Sequence, residues 1–263
     1  MNILVTNDDG INSPGLWALA KAMNRVGQVL VVAPDKERSG VGASVSLHNN
    51  INSVEVVSLI PGIRAFSVGG TPSDCVMIAI QRLSQINIDL VVSGINPAPN
   101  IGRDIHYSGT VMATLQGYYR KIPAIAVSLY PRTLEEKLNY DIAAQVVEKL
   151  ALNMKNGKLN TTAILNINVP NIPLEQIKGI LTTRTADIGY VQLSDVEDEN
   201  AINYLNPLDL DSLYTSNLKE GTDIWAIHAG YISVTPLHFE VNHHKIMPNI
   251  TESIQEIASE FLK

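Results

Sequence analysis

Cysteine, aromatic residues, histidine and positive charge are all scarce in this 263-residue chain. There is one cysteine, three phenylalanines, two tryptophans and six histidines. A lone thiol, Cys75, cannot form an internal disulfide, which fits a reducing compartment. Met1 leads straight into an apolar strand, so no signal peptide is expected and the location expected is the cytoplasm. No apolar run approaches the roughly 18 residues of a membrane span. Nineteen Lys and Arg stand against 26 Asp and Glu, for a net charge of −7 and a pI near 5.3. That balance argues against a nucleic-acid groove or an anionic membrane surface as the main partner. An anionic substrate would then need a local cation. Only His48 and His106 precede the last third of the chain, so a histidine-rich metal centre has no material there.

What is present suits a packed core. Apolar residues make up 45% and charged residues 17%, and the length allows one large domain, or one domain with an appendage. There is no internal repeat and no low-complexity tract. Short apolar runs predict strands over 3–5, 28–33, 54–59, 65–68, 89–93, 124–129 and 162–169. Helical spacing predicts helices over 14–26, 71–83, 109–119 and 134–154, with a loop over 94–108. This βαβ rhythm predicts an α/β fold: a Rossmann-like, mainly parallel sheet with helices on both faces. Trp17 and Met23 at helical spacing, and Cys75 in an apolar helix, are read as core. Beyond Pro170 the pattern changes. Residues 180–195 alternate like a hairpin, 195–214 are acidic and aperiodic, 223–235 read as a strand region and 252–262 as a terminal helix. The expected organisation is a catalytic core over 1–172 and a C-terminal extension over 173–263, a hairpin arm with a helix. A hairpin that cannot cover both faces finds a partner subunit, so an oligomer is expected.

The most informative segment is Asn7-Asp8-Asp9-Gly10, directly after the first apolar run. Ligands of open α/β sheets bind beyond the carboxyl ends of strands. Two adjacent carboxylates there repel unless a proton, a cationic side chain or a metal intervenes. No Lys or Arg precedes Lys21, so a metal is the expected partner. Asp and Gly are also ordinary turn residues, and a capping turn would explain the pair in isolation. Three further segments follow predicted strands or open a helix: Asp35-Lys36-Glu37-Arg38-Ser39-Gly40, the run from Ser93 to Gly102 containing Asn96 and Asn100, and Tyr107-Ser108-Gly109-Thr110. Carboxylate, hydroxyl and amide oxygens suit Mg²⁺, Mn²⁺ or Ca²⁺ better than zinc. Ser108-Gly109-Thr110 at a helix start offers N–H groups, hydroxyls and the positive dipole end, a phosphate seat, although a plain N-cap would also account for Ser108. Metal and phosphate seat together point to phosphoester hydrolysis. Lys36 and Arg38 read as a solvated loop, with Arg38 able to assist an anion, and His106 as a loop residue ahead of the alternative, a helper at the leaving group. His243-His244 lacks the spacing of a helical metal pair.

Taken together, several segments resemble one family. They are Asn7-Asp8-Asp9-Gly10 with Pro14-Gly15, Ala33-Pro34-Asp35 with Arg38-Ser39-Gly40, Gly70-Thr71-Pro72 with Asp74-Cys75-Val76, and Ser93-Gly94-Ile95-Asn96 with Asn100. Tyr107-Ser108-Gly109-Thr110-Val111, Leu165-Asn166-Ile167-Asn168-Val169-Pro170 and Gly230-Tyr231 with Ser233-Val234-Thr235-Pro236-Leu237 follow in order. The chain resembles the SurE (stationary-phase survival protein) family of metal-dependent 5′/3′-nucleotidases. The resemblance implies one divalent metal per subunit, Mg²⁺ or Mn²⁺, held by Asp8, Asp9, Ser39 and Asn96, with Asp8 and Asp9 catalytic. It implies that Asn100, Ser108, Gly109 and Thr110 hold the phosphate. The implied substrate is a nucleoside monophosphate, with 3′-nucleotides and polyphosphate as further substrates. The implied assembly is a homodimer or homotetramer exchanging the C-terminal arm. Two departures stand out: Pro97-Ala98 where the family has Ala-Gly, and Gln116-Gly117 where it has Glu-Gly.

Two other readings compete. An aspartyl-phosphate phosphatase needs acids one residue apart, and here they are adjacent. A nucleotide-sensing module without turnover, built like a phospho-receiver, needs an acceptor Asp ending a central strand and a later strand-end Lys. The 89–93 and 124–129 strands end instead in Ser-Gly-Ile-Asn and Ser-Leu-Tyr.

Overall fold

The computed structural model describes residues 1–48, 50–133, 136–188, 193–194, 203–204, 218–240, 250–251, 253–255 and 257–258. Strand β1 (Asn2–Thr6) leads to α1 (Pro14–Met23) and β2 (Gln28–Pro34). Then come β3 (Ser53–Val56), β4 (Arg64–Val68) and α2 (Pro72–Ile78), which runs on as a π turn, Ala79–Leu83. Next are β5 (Leu90–Asn96), a 3₁₀ turn at Gly102–His106, α3 (Gly109–Tyr118), β6 (Ala124–Tyr130), α4 (Tyr140–Lys155) and β7 (Ile164–Pro170). The last third adds β8 (Ile180–Thr182), β9 (Leu193–Ser194), β10 (Asn203–Tyr204), α5 (Asp223–His228) and β11 (Ile232–Leu237).

Nine strands form one sheet in the order β3-β4-β2-β1-β5-β6-β7-β11-β8. The six from β4 to β7 are mutually parallel, while β3 and β11 run antiparallel to β4 and β7. The parallel strands are apolar on both faces because both are covered. Along β1, Ile3 and Val5 join a core with Leu16, Leu19 and Met23 of α1 and Ala143 and Val147 of α4. Leu4 between them faces the opposite way, into a core with Cys75 and Val76 of α2 and Val111, Met112 and Leu115 of α3. The predicted α/β architecture is therefore the one observed, and Trp17, Met23 and Cys75 are buried as core.

Four expectations need correction. β5 runs to Asn96 rather than stopping at Ser93, because the Gly94–Asn96 stretch, read as turn residues, returns to the ladder opposite Ser128 after an irregularity. Helix α4 starts at Tyr140, not 134, where the Asn139 side chain accepts from the Asp141 N–H at 3.0 Å. Residues 223–228, read as strand, form α5 because Thr222 caps the turn and accepts from the Trp225 N–H. Among the described residues, 180–182 pair in parallel with β11 in the main sheet rather than in a hairpin with their neighbours. A two-residue antiparallel ladder joins β9 to β10 instead. Two strands of the 173–263 segment thus continue the sheet begun by residues 1–172. Most of the 195–214 stretch, and Glu252, Glu256 and 259–262 of the predicted terminal helix, lie outside the described residues.

Helix α1 crosses the end of β5 at Gly15, where a Cβ would lie 2.2 Å from the Ile95 carbonyl oxygen and 3.0 Å from Tyr140 Cε1. Gly→Ala inside a helix ordinarily helps by up to about 1 kcal/mol. Here a backbone atom stands in the way. Gly15→Ala is expected to destabilise by about 1–3 kcal/mol, read as a lower midpoint in urea; a higher midpoint would contradict this crossing.

Candidate active site

Strands β1 and β5 are neighbours whose connections leave in opposite directions, through α1 to β2 on one side and α3 to β6 on the other. At such a switch point the carboxyl ends diverge and leave a crevice. The turn leaving β1 is self-bonded: Asn7 Nδ2 donates to the Gly10 carbonyl at 3.0 Å and the Gly10 N–H donates back to Asn7 Oδ1 at 3.2 Å. Gly10 takes φ +99°, which favours glycine. The turn is tied to the loop after β2, with the Ile11 N–H donating to Pro34 O at 2.8 Å and the Arg38 N–H to Asp8 O at 2.7 Å. Two strand ends therefore present their loops as one unit.

Asp8 is buried against the start of α3. The Thr110 N–H donates to Asp8 Oδ2 at 3.0 Å and the Thr110 hydroxyl donates to Asp8 Oδ1. Burial raises its pKa, opposed by the Thr110 side-chain and backbone hydrogen bonds. Thr110 therefore directs both donors at Asp8 rather than into open space, and the positive helix end is partly occupied by this carboxylate. Ser108 is the N-cap, its Oγ accepting from the Val111 N–H at 3.0 Å. Gly109 lies flat on Asp8: a Cβ there would meet Asp8 Cβ at 2.8 Å and Oδ2 at 2.9 Å. Gly109→Ala is expected to displace the carboxylate and lower activity about 10²-fold, while the far-ultraviolet circular dichroism stays native. Full activity in that variant would mean Asp8 needs no such placement.

Asp9 has no equivalent donor. Its Oδ2 is buried without a hydrogen-bond partner among the described residues. Burial first, then the charges of Asp8 and Glu37, push its pKa up to about 8. Ser39 is exposed and donates its hydroxyl to Glu37 Oε1 at 2.8 Å. Asn96 ends β5, and its Nδ2 donates to Ala98 O at 2.5 Å, which turns Oδ1 to the other side. The half-buried Tyr140 ring stands beside Gly15, and burial, followed by the Asp9 charge, raises its phenol pKa. No group of three or more His, Cys, Asp or Glu that could hold a metal occurs among the described residues. The expected set needs only two carboxylates, completed by a hydroxyl and an amide oxygen. A buried carboxylate oxygen lacking any donor, beside a second buried carboxylate, is the environment a hard divalent cation relieves. The residues fit such an ion.

Asn100 is held from several directions. Its N–H donates to Asn168 Oδ1 at 2.8 Å, its Nδ2 donates to Ser128 Oγ at 2.8 Å, and its carbonyl accepts from Asn166 Nδ2 and Asn168 Nδ2 at 2.8 and 3.0 Å. Asn166 and Asn168, at alternate positions of β7, therefore set the path of the 97–102 loop. Asp223 of α5 secures the same loop, accepting from the Gly102 N–H at 2.8 Å with Oδ2 and from the Ala186 and Ile224 N–H groups with Oδ1. These three positioning residues were missed as site residues. The two asparagines carried a signal, as polar side chains at i and i+2 inside a strand apolar on both sides; Asp223 carried none.

Other candidates serve structure. Thr71 and Asp74 form a reciprocal cap on α2, with the Thr71 N–H donating to Asp74 Oδ2 and the Asp74 N–H to Thr71 Oγ1. Burial pushes the Cys75 thiol well up, which disfavours thiolate chemistry. Arg38 pairs with Asp35 at 3.2 Å, and His106 sits edge-on to Phe239, 6.4 Å between ring centroids.

The sequence matches the family described as Survival protein SurE over residues 3–192. It is 44% identical over 238 residues to the 5′-nucleotidase SurE of Dehalococcoides mccartyi strain CBDB1, covering 90% of this chain and 89% of that one. It is 37% identical over 263 residues to the 5′-nucleotidase SurE of Legionella pneumophila strain Lens, covering 99% and 100%. The crystal structure of the SurE protein from Aquifex aeolicus superimposes with a TM-score of 0.79 at 34% identity, over 96% of this chain and 99% of that one. With the fold, the strand-end carboxylates and nearly full-length similarity in agreement, this chain belongs to the SurE family.

Proposed function

We propose that this protein is a divalent-metal-dependent phosphomonoester hydrolase, a 5′-nucleotidase that converts nucleoside monophosphates to nucleoside and phosphate. The observation that carries the reading is the Asp8–Asp9 pair at the β1–β5 switch point, with each oxygen of one carboxylate accepting from Thr110 and the other holding a buried oxygen without a donor among the described residues. The names of relatives matching nearly end to end support the 5′ position. 3′-nucleotides and polyphosphate, which also present a terminal phosphoryl group, are proposed as further substrates.

Asp8, Asp9, Ser39 and Asn96 are assigned to hold one Mg²⁺ or Mn²⁺ per subunit. Such an ion, when bound, neutralises charge on the phosphoryl group and lowers the pKa of water. Thr110 fixes Asp8, so that carboxylate keeps its direction through turnover. With Oδ2 given to the cation, the second oxygen of the Asp9 carboxylate is assigned to take the proton of the attacking water. As that water's oxygen bonds to phosphorus, the ester P–O bond breaks, the nucleoside oxygen takes a proton from solvent water, and Asp9 returns its proton to solvent. The phosphate is assigned to the N-terminus of α3 and to Asn100: Ser108, whose oxygen caps the helix, keeps its hydroxyl hydrogen for an anion, Gly109 allows close backbone approach, and Thr110 acts chiefly by holding Asp8.

Residues 1–172 are assigned as the catalytic core and 173–263 as an extension through which a homodimer or homotetramer forms. Ile250, Ile254 and Ile257, exposed and at helical spacing, support that contact. No described helix is long and apolar enough to cross a membrane, and the single buried Cys75 suits the reducing cytoplasm. The test is phosphate release from 5′- and 3′-nucleotides and polyphosphate with Mg²⁺, Mn²⁺ or EDTA. Release from 5′-AMP that requires metal is expected. Nucleotide binding with no turnover under any metal would make the protein a nucleotide sensor instead.

A further inference from the structure

We infer that Glu37 is a positioning residue that sets the direction of the Ser39 hydroxyl so that its lone pairs face the cation site. The inference rests on the reading of Asp8, Asp9, Ser39 and Asn96 as that site. A neutral hydroxyl carries one hydrogen and two lone pairs, and it can ligate a cation only when the hydrogen points away. On an exposed loop serine the O–H rotor is otherwise free. Here the hydrogen has a defined acceptor, Glu37 Oε1 at 2.8 Å, and an ionised acceptor makes this the stronger kind of hydrogen bond. The residue between them is anchored, since the Arg38 N–H donates to Asp8 O at 2.7 Å. Glu37 and Ser39 thus flank a residue tied to the Asp8 main chain, and Gly40 at φ +71° turns the chain immediately afterwards.

Among the described residues Glu37 forms no metal-holding cluster of three with Asp8 and Asp9, and it is assigned an outer role. Its charge still reaches both of them. This is the arrangement by which an outer carboxylate orients an inner ligand, and loss of such partners elsewhere costs about 10–100-fold in metal affinity. Charge alone would also draw a cation, so the test must separate orientation from charge.

Mn²⁺ affinity is measured by titration calorimetry on the full chain and on Glu37→Ala, Glu37→Gln, Ser39→Ala and the Glu37→Ala/Ser39→Ala pair. Native circular dichroism in EDTA is required of each. Glu37→Ala is expected to weaken Mn²⁺ binding about tenfold or more. Glu37→Gln should lose less, because its amide oxygen still accepts. In the Ser39→Ala background, removing Glu37 should change affinity less than about twofold. Unchanged affinity in Glu37→Ala overturns the inference, as does an equal loss with and without Ser39, which would make Glu37 a ligand or a simple field source. If the unaltered protein binds no Mn²⁺, the cation reading itself falls and this one with it.

Discussion

Asp9→Asn is expected to lower Mn²⁺-supported phosphate release from AMP about 10³-fold while raising the thermal midpoint of the metal-free protein. Both halves follow from one carboxylate. Asp9 Oδ2 is buried with no donor among the described residues, and burial together with the neighbouring Asp8 and Glu37 charges pushes the pKa up to about 8. A group so strained in the empty site destabilises the fold there, and the amide of asparagine removes the charge at constant shape. The same substitution removes a cation ligand and the proposed acceptor of the water proton, effects that each cost orders of magnitude in comparable sites. Each kcal/mol relieved raises the midpoint by roughly 2–4 °C in a chain of this size. Wild-type turnover would remove the carboxylate pair from the mechanism. A lowered midpoint in EDTA would mean Asp9 is satisfied in a way its surroundings do not indicate.

In EDTA the protein is expected to lose stability as pH rises from about 4 to about 8, and Mn²⁺ should reverse that trend. The Asp9 pKa is raised in the folded chain from 3.8 to about 8, so between those values the folded state binds more protons than the unfolded one. Stability is therefore full below the unfolded pKa and falls as pH climbs through the folded one. Asp8 and Asp223, also raised by burial, act in the same direction. A cation that binds only the folded, deprotonated pair stabilises by about 2.7 kcal/mol at a hundredfold excess over its Kd, roughly 5–10 °C. Because the ion competes with protons, its shift should be larger at pH 8 than at pH 6. Scanning calorimetry at both pH values, with EDTA and with Mn²⁺, reads this directly. A Mn²⁺ shift equal at the two values, or an EDTA midpoint that rises with pH, would contradict the assignment of Asp9.

Much of the candidate site was legible in the sequence because its position depends on local pattern. The apolar run Ile3-Leu4-Val5 marks β1, so Asp8 and Asp9 fall at a strand end without further information. The same logic places Asn96 beyond the 89–93 run and Gly109 at a helix start, although β5 proved three residues longer than its apolar stretch. Glycine and proline near Asn96 mimic a turn, and only pairing with Ser128 of β6 shows that the strand continues. Residues 223–235 misled for a related reason: their apolar content suits either element, and the Thr222 cap decided for helix over the first six.

The partners of the site residues were beyond sequence reading. Thr110 lies 102 positions from Asp8, and its two donors meet that carboxylate rather than an incoming phosphate. Asn166 and Asn168 reach Asn100 from 66 and 68 positions away, and Asp223 reaches Gly102 across 121. By itself the sequence determined the succession of strands and helices, the two-sided burial of the sheet and the location of the carboxylates at a strand end, since periodicity of 2 or 3.6 residues is a local property of the chain. Only the tertiary structure decided which carboxylate is bonded and which is left bare, because that depends on which distant N–H and O–H groups the crossing connections deliver to each oxygen.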